Sequence, residues 1–312
     1  MAEERDTCVV TATYKRAWAL PYFIGSLKRQ SLLPSKVIFV LKPSGDESEE
    51  VIEKEAQGLN YEIVLQKSGN FVEAVELGIK ACGGHSLILF IDDDAIASEN
   101  WIEKYVQFFN LRKDAGGAGG AVYKAIFDGD DISPTGDHFY GRDTYKTKGG
   151  IHRRPLPEYE DYCEWLSTSG LPRGKECQGD AILSTLLSGV NMAFRDDAIF
   201  DCPLSRLFKN SRKGFHSEQT LAFCARRKGY HTYRLTGESS PVVYHIVEIE
   251  SLKRRKGFMN DFWIHYDIAR DFWRLRELGA EVNFLHYLIG MLILARKKPL
   301  ARIPATLYAL FK

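Results

Sequence analysis

The sequence is poor in the signatures that fix a function class outright. Its 312 residues hold six cysteines, at positions 8, 82, 163, 177, 202 and 224, and no two form a C-x-x-C pair. That scatter argues against a zinc site and fits a reduced compartment, with a Cys163–Cys177 disulfide left open. The stretch Thr11-Ala12-Thr13-Tyr14-Lys15-Arg16 contains no glycine. It therefore lacks the G-x-G-x-x-G of a dehydrogenase and the glycine-rich phosphate loop of a nucleotidyltransferase. The formal charge is only +1, so there is no bulk attraction to nucleic acid and none is expected as a partner. No apolar run reaches the ~18 residues of a membrane-crossing helix. The opening MAEERDTCVV is acidic and enters a strand at once, so no signal peptide and a cytoplasmic location are expected. No internal repeat is present.

What the chain does have is a core and a charged triplet. Hydrophobic residues make up 45% of it, which excludes global disorder. The run Leu87-Ile88-Leu89-Phe90-Ile91 reads as a buried strand, and Asp92-Asp93-Asp94 closes it. Three like charges at one strand end raise one another's pKa unless a cation offsets them. Carboxylate oxygens suit a hard divalent cation such as Mg²⁺ or Mn²⁺, and such a cation in turn suits a diphosphate. A turn followed by a helix N-cap is the alternative for one aspartate, but not for three.

The first third alternates strand and helix. Strands are expected at 8–13, 36–41, 61–65 and 86–91, with helices at 18–30, after Ser44-Gly45-Asp46, and at 71–81. This series predicts an α/β fold, a mostly parallel sheet flanked by helices, with ligands at the carboxyl ends of its strands. A helix near Ser98 follows. DAGGAGGAV, 114–122, reads as a tight turn into a strand, and 126–160 as a long loop. Residues 187–194 read as a strand and 217–229 as a helix stopped by Gly229. The division expected is 1–125 and 126–250, two halves of the same domain, and 251–312, a C-terminal amphipathic helical extension.

That extension changes character. From Val282 to Lys312 there is no Asp or Glu, and the apolar block 284–294 precedes Arg296, Lys297, Lys298 and Arg302. The pattern suits a segment lying in a membrane interface, with Pro299 and Pro304 breaking it into short helices. Packing on the main domain or on a partner subunit is the alternative. Trp263, Tyr266, Trp273, Arg270 and Arg274 fit either an interface belt or a core. His152-Arg153-Arg154 reads as a solvated charge run, and Trp101, Tyr162 and Trp165 as core aromatics.

Several motifs, in order, resemble the inverting nucleotide-sugar glycosyltransferases of family 2, which have the GT-A Rossmann-like fold. Thr11 to Arg16 resembles the family's first strand and turn, T-Y-N-R. Phe90 to Ala95 resembles its metal-binding D-x-D element. Ser188 to Arg195 resembles the G-x-N-x-x-x-R strand, and Ser217-Glu218 with Gly229-Tyr230 the E-D…R-x-x-G-Y helix. The resemblance implies a divalent metal, Mn²⁺ or Mg²⁺, held by Asp94 and Asp92, with His245 as a late ligand or else a core histidine. It implies donor contacts at Thr11, Ala12, Thr13, Arg16, Lys42, Asn70, Asp92 and Asp93. Lys42 stands where the family often has an acid, which opens the choice among UDP, GDP and dTDP. Glu218 is the candidate general base. Gln219, one residue on, has no proton-accepting carboxylate. The implied partners are a nucleotide-diphosphate sugar, a glycan or polyprenyl-phosphate-linked acceptor, and a membrane surface on its cytoplasmic face. A catalytically silent scaffold with the same fold is the rival reading.

Overall fold

The computed structural model describes residues 6–127, 132–138, 150–248 and 257–311. Its first half runs β1 (Thr7–Thr13), α1 (Leu20–Lys28), β2 (Lys36–Leu41), α2 (Ser48–Glu55), β3 (Tyr61–Leu65), α3 (Phe71–Ala81), β4 (Leu87–Ile91), β5 (Ala95–Ala97), α4 (Trp101–Leu111), β6 (Ala115–Gly119), β7 (Ala121–Phe127) and β8 (Ile132–His138). Then come β9 (Glu164–Leu166), β10 (Pro172–Gly174), β11 (Ala181–Leu183), β12 (Asn191–Arg195), α5 (Asp196–Ile199), α6 (Leu204–Leu207), α7 (Ser217–Arg227), β13 (His231–Leu235) and β14 (Val242–Glu248). Three helices close the chain: α8 (Phe258–Glu277), α9 (Phe284–Ala295) and α10 (Pro299–Leu310).

Eight strands form the main sheet in the order β11-β13-β6-β12-β4-β1-β2-β3. β3, β2, β1 and β4 are mutually parallel. β12 enters antiparallel between β4 and β6, and β13 is parallel to β6. Successive side chains of each inner strand point to opposite faces. Val9, Val37, Phe39, Leu87, Leu89 and Ile91 join α1, α2 and α4 in one core. Val10, Ile38, Val40, Ile88 and Phe90 join α3, α5, α6 and α7 in the other. Burying each such side chain contributes about 1.5–3 kcal/mol, which is why the inner strands read as unbroken apolar runs. The main sheet takes β1 to β4 and β6 from residues before 126 and β11, β12 and β13 from residues after it, so the two halves share one framework; β5, β14, β7 and β8 form a second, four-stranded sheet. The chain moves outward from β1 through β2 to β3 and returns to lay β4 on the other side of β1. The crevice where this reversal occurs lies at the carboxyl ends of β1 and β4.

Some local expectations are corrected. The glycines of 114–122 lie within β6 itself. A Cβ on Gly116 would stand 2.4 Å from Tyr230 Cβ and one on Gly117 2.5 Å from Phe194 Cε1, so glycine lets two aromatic side chains close onto the strand. The segment 126–160, expected as a long loop, holds the end of β7, β8 paired with it, and short 3₁₀ turns at 151–153 and 157–159; residues 128–131 and 139–149 lie outside the described residues. Pro304 does not end a helix: α10 runs through it from Pro299, which occupies the helix start. Of the two readings left open for Trp263, Tyr266 and Trp273, the packed one holds: they join a core with α9 and α10. His152 is buried, not part of a solvated run.

The cysteines pair as Cys8–Cys82, Cys163–Cys177 and Cys202–Cys224. The Cys163–Cys177 link that the sequence left open is one of the three. Residues far apart in sequence meet because β1 lies beside the end of α3, and the segment after α5 beside α7.

Candidate active site

The aspartate triplet leaves β4 at the crevice and turns at once. The Ala95 N–H donates to the Asp92 carbonyl, 3.2 Å away, and β5 then pairs antiparallel with β14. That ladder sets His245 opposite Ala95, with the Ile246 N–H donating to the Asp94 carbonyl at 2.8 Å. A histidine 151 positions after Asp94 is thus delivered to the triplet by strand register. Its Nε2 lies 3.5 Å from Asp92 Oδ2 and 3.4 Å from Asp94 Oδ1. One ligand atom from each of Asp92, Asp94 and His245 lies within 4.8 Å of the others.

Asp93 faces elsewhere. It accepts a hydrogen bond from the Thr13 hydroxyl and lies 3.3 Å from Arg16 Nε, while Arg16 Nη2 reaches Asp94 Oδ2 at 2.9 Å. Arg16 arrives there because Lys15 adopts a left-handed backbone, φ 58°, that turns the chain across the end of β1. Burial and the neighbouring Asp94 push the Asp93 carboxyl up to about 8, against the opposing pull of Arg16 and Thr13. Burial also raises Asp94, with His245 opposing and Asp92 adding. Burial alone would depress the His245 imidazole, but the Asp92 and Asp94 carboxylates outweigh it and raise it. Such crowding of acids fits a divalent cation: carboxylate oxygens of Asp92 and Asp94 and one imidazole nitrogen of His245 converge, the donor set expected for Mn²⁺ or Mg²⁺.

The other expected contacts sort into two groups. At the crevice, Thr11 is buried, its hydroxyl without a partner among the described residues. Ala12 is half-buried beside it. Lys42 is tied to the Gly69 carbonyl at 2.7 Å, and its ammonium lies 6.0 Å from the Tyr14 ring centroid. Asn70, by contrast, is used by the fold. Its Oδ1 caps α3 by accepting from Val72 and Glu73, and its Nδ2 donates to the Phe208 and Ser211 carbonyls.

The G-x-N-x-x-x-R strand is likewise structural at both ends. Asn191 accepts from Trp101 Nε1 and the Tyr105 hydroxyl and donates to the Ala121 and Pro241 carbonyls, all at 2.7–2.9 Å. Arg195 donates to the carbonyls of Ala115, Phe109 and Arg112, closing the end of α4.

Glu218 lies in the first turn of α7. α7 packs on β13 and β6 and leads into β13, so its start faces the carboxyl ends of the parallel strands, the side of the sheet that carries the triplet. Gln219 Nε2 donates to the Leu187 carbonyl on the approach to β12. Burial raises the Glu218 carboxyl above its ordinary range, with its own backbone N–H, His216 and Ser217 opposing and Asp271 adding. His216 and Asp271, whose charges act on this carboxylate, were not singled out in the sequence. The available signal was the spacing Asp267, Asp271, Arg274 on one face of a helix whose neighbours on that face are apolar.

Residues 8–169 match Glycosyl transferase family 2. Among solved structures the chain is similar to GalNAc-T7 with UDP, GalNAc and Mn²⁺, at 11% identity and a TM-score of 0.57, over 79% of this chain and 44% of that one. It is similar to S. aureus TarS 1–349 at 14% identity and a TM-score of 0.51, over 90% of this chain and 68% of that one. The complex of TarS 1–349 with UDP-GlcNAc gives 15%, 0.50, 90% and 69%. The chain spans less than half of the GalNAc-T7 chain and about two thirds of the TarS fragment. What is shared at these identities is the GT-A fold. No curated protein gives a match.

Proposed function

Because the chain belongs to glycosyl transferase family 2, we propose that it is a metal-dependent, inverting transferase. Its donor is a nucleotide-diphosphate sugar and its acceptor a glycan or polyprenyl-phosphate-linked chain at a membrane surface. The observation that carries this reading is the convergence of Asp92, Asp94 and His245 at the crevice between β1 and β4. The fold shared with structures that contain UDP and Mn²⁺, or UDP-GlcNAc, supports the choice of donor.

Asp94 and Asp92 would hold the cation, with His245 completing the set. An ion bound there supplies positive charge to the departing diphosphate. Thr13 and Arg16 fix Asp93, so its carboxylate cannot swing into the metal position. The Arg16 guanidinium is one-third exposed at the crevice, placed to meet a phosphate oxygen as well. Thr11, Ala12 and Lys42 line the nucleotide side, and Asn70 sets the loop that carries Lys42's partner, Gly69. Glu218 takes the proton of the acceptor hydroxyl as it attacks the anomeric carbon opposite the leaving group, which inverts the configuration.

Membrane contact is assigned to α9 and α10. No helix among the described residues is long and apolar enough to cross a membrane. Yet Leu300 is 83% exposed and Phe311 84%, and Leu285, Leu292, Ile303 and Leu307 also stand in solvent. Arg296 and Lys297 lie between the two helices. Such a surface suits the headgroup region. Three disulfides weigh against the reduced, cytoplasmic face of that membrane, and a thiol count decides the side.

The test is a thermal-stability screen of UDP-, GDP- and dTDP-sugars with Mn²⁺. A donor at about 100 Kd adds ~2.7 kcal/mol of stability. One nucleotide class should stabilise the chain with metal and not in excess chelator, and turnover should give product of inverted configuration. Stabilisation that persists in chelator, or product of retained configuration, contradicts the proposal.

A further inference from the structure

The loop that enters α7 is clamped to α8 by a buried chain of charges. α8 places Asp267, Asp271 and Arg274 on one face, at 0%, 5% and 2% exposure. Arg274 Nη2 lies 2.8 Å from Asp267 Oδ1 and Nη1 3.0 Å from Asp271 Oδ1, while Nε donates to the Leu207 carbonyl. Asp267 Oδ2 accepts from the Ser211 hydroxyl at 2.8 Å and from the Phe215 N–H at 3.4 Å. Asp271 Oδ2 meets His216 Nδ1. The guanidinium carbon sits 3.7 Å from the centroid of the Phe208 ring.

This arrangement is a poor way to gain stability. Desolvating ion pairs costs about as much as the Coulombic attraction returns, and well-packed apolar residues would often serve as well. His216 also holds a left-handed backbone, φ 69°, a conformation that persists only where the surroundings enforce it. What the network supplies is a single geometry for residues 211–217. Glu218 is the next residue.

We infer that His216 and Asp271 are positioning residues for Glu218, and that through them α8 orients the general base. This rests on the reading of Glu218 as base. The charged groups that act on Glu218 are His216 on its own loop, which lowers its pKa, and Asp271 from α8, which raises it. α8 is at the same time the helix on which α10 packs, through Arg270 to the Ala309 carbonyl and His265 to Thr306. One helix therefore joins the proposed membrane face to the proposed base.

The experiment uses the full chain with the donor found in the stability screen and compares Glu218→Gln, His216→Asn and Asp271→Asn. Asparagine tolerates the left-handed backbone at 216, so His216→Asn removes the imidazole contact without straining the loop. Misplacing a reacting group by about 1 Å costs of order 10²-fold, so each positioning variant should lose ~10- to 100-fold in kcat with the donor KM unchanged. The acid limb of the kcat–pH profile should move up in His216→Asn, which loses a group that lowers the base, and down in Asp271→Asn, which loses one that raises it. A purely structural role would not move that limb in opposite directions. If Asp271→Asn does not fold, His216→Asn alone decides. Wild-type kcat and an unmoved acid limb in a folded His216→Asn overturn the inference while Glu218→Gln remains inactive. A fully active Glu218→Gln overturns the assignment of the base instead.

Discussion

Asp94 bears two demands that no neutral residue meets: it faces His245 as a ligand would, and it accepts the Arg16 ion pair. Asp94→Asn keeps the volume and removes the charge. Metal-dependent stabilisation and turnover should both be abolished while the circular dichroism spectrum is unchanged; turnover at the wild-type rate in this variant would remove the metal role. Asn191 is the contrasting case, a motif residue whose four hydrogen bonds all serve the fold. Asn191→Ala strands the Trp101 and Tyr105 donors and two carbonyls, and each unsatisfied buried group costs about 1–3 kcal/mol. A drop of at least ~3 kcal/mol in urea unfolding is expected. A change confined to acceptor kinetics, with stability intact, would show that the residue serves the site directly.

At the scale of elements, α10 docks on α8 through a histidine kept neutral. Burial, with Arg302 adding, depresses the His265 imidazole from 6.5 to about 4, and its Nε2 meets the Thr306 hydroxyl at 3.0 Å. The unfolded chain binds this proton more readily than the folded one. The contribution is therefore fully present above pH 6.5 and is lost as pH falls toward 4. The protection of α10 amides, measured relative to their intrinsic exchange rate at each pH, should fall over that window, and His265→Gln should flatten the dependence. An α10 whose protection ignores pH in the native chain would sink the claim. The outer sides of α9 and α10 carry the membrane prediction. Replacing Leu292, Leu300, Leu307 and Phe311 together by serine should abolish flotation with anionic liposomes, since each apolar side chain buried in the interface is worth about 1.5–3 kcal/mol. Equal flotation of both forms would turn this surface into a packing or oligomer face.

For the whole molecule, the disulfides tie distant segments together. The Cys8–Cys82 link closes a loop of sequence separation 74, which by chain entropy constrains the unfolded state by about 4 kcal/mol. Reductant should lower the urea midpoint, and the unreduced chain unfolded in denaturant should show no reactive thiol. Six reactive thiols would reject the pairing and return the chain to the reduced side of the membrane.

The sequence by itself determined the architecture of the first third. Apolar runs at strand length, separated by helical spacing, admit few arrangements other than a parallel sheet covered on both faces. It also exposed the aspartate triplet, because three adjacent carboxylates after a buried strand are costly unless positive charge offsets them. Local signals of this kind survive without coordinates. Tertiary structure alone decided the rest. His245 reaches Asp94 only because β14 pairs with β5, a register that no local pattern encodes. The glycines of β6 are explained by Tyr230 and Phe194, more than 70 residues away. The cysteines are scattered in sequence and adjacent in space. The clamp on Glu218 joins a loop at 211–217 to a helix that begins at 258. Pairing between distant segments depends on how both pack against a shared core, and composition and periodicity report on each segment separately.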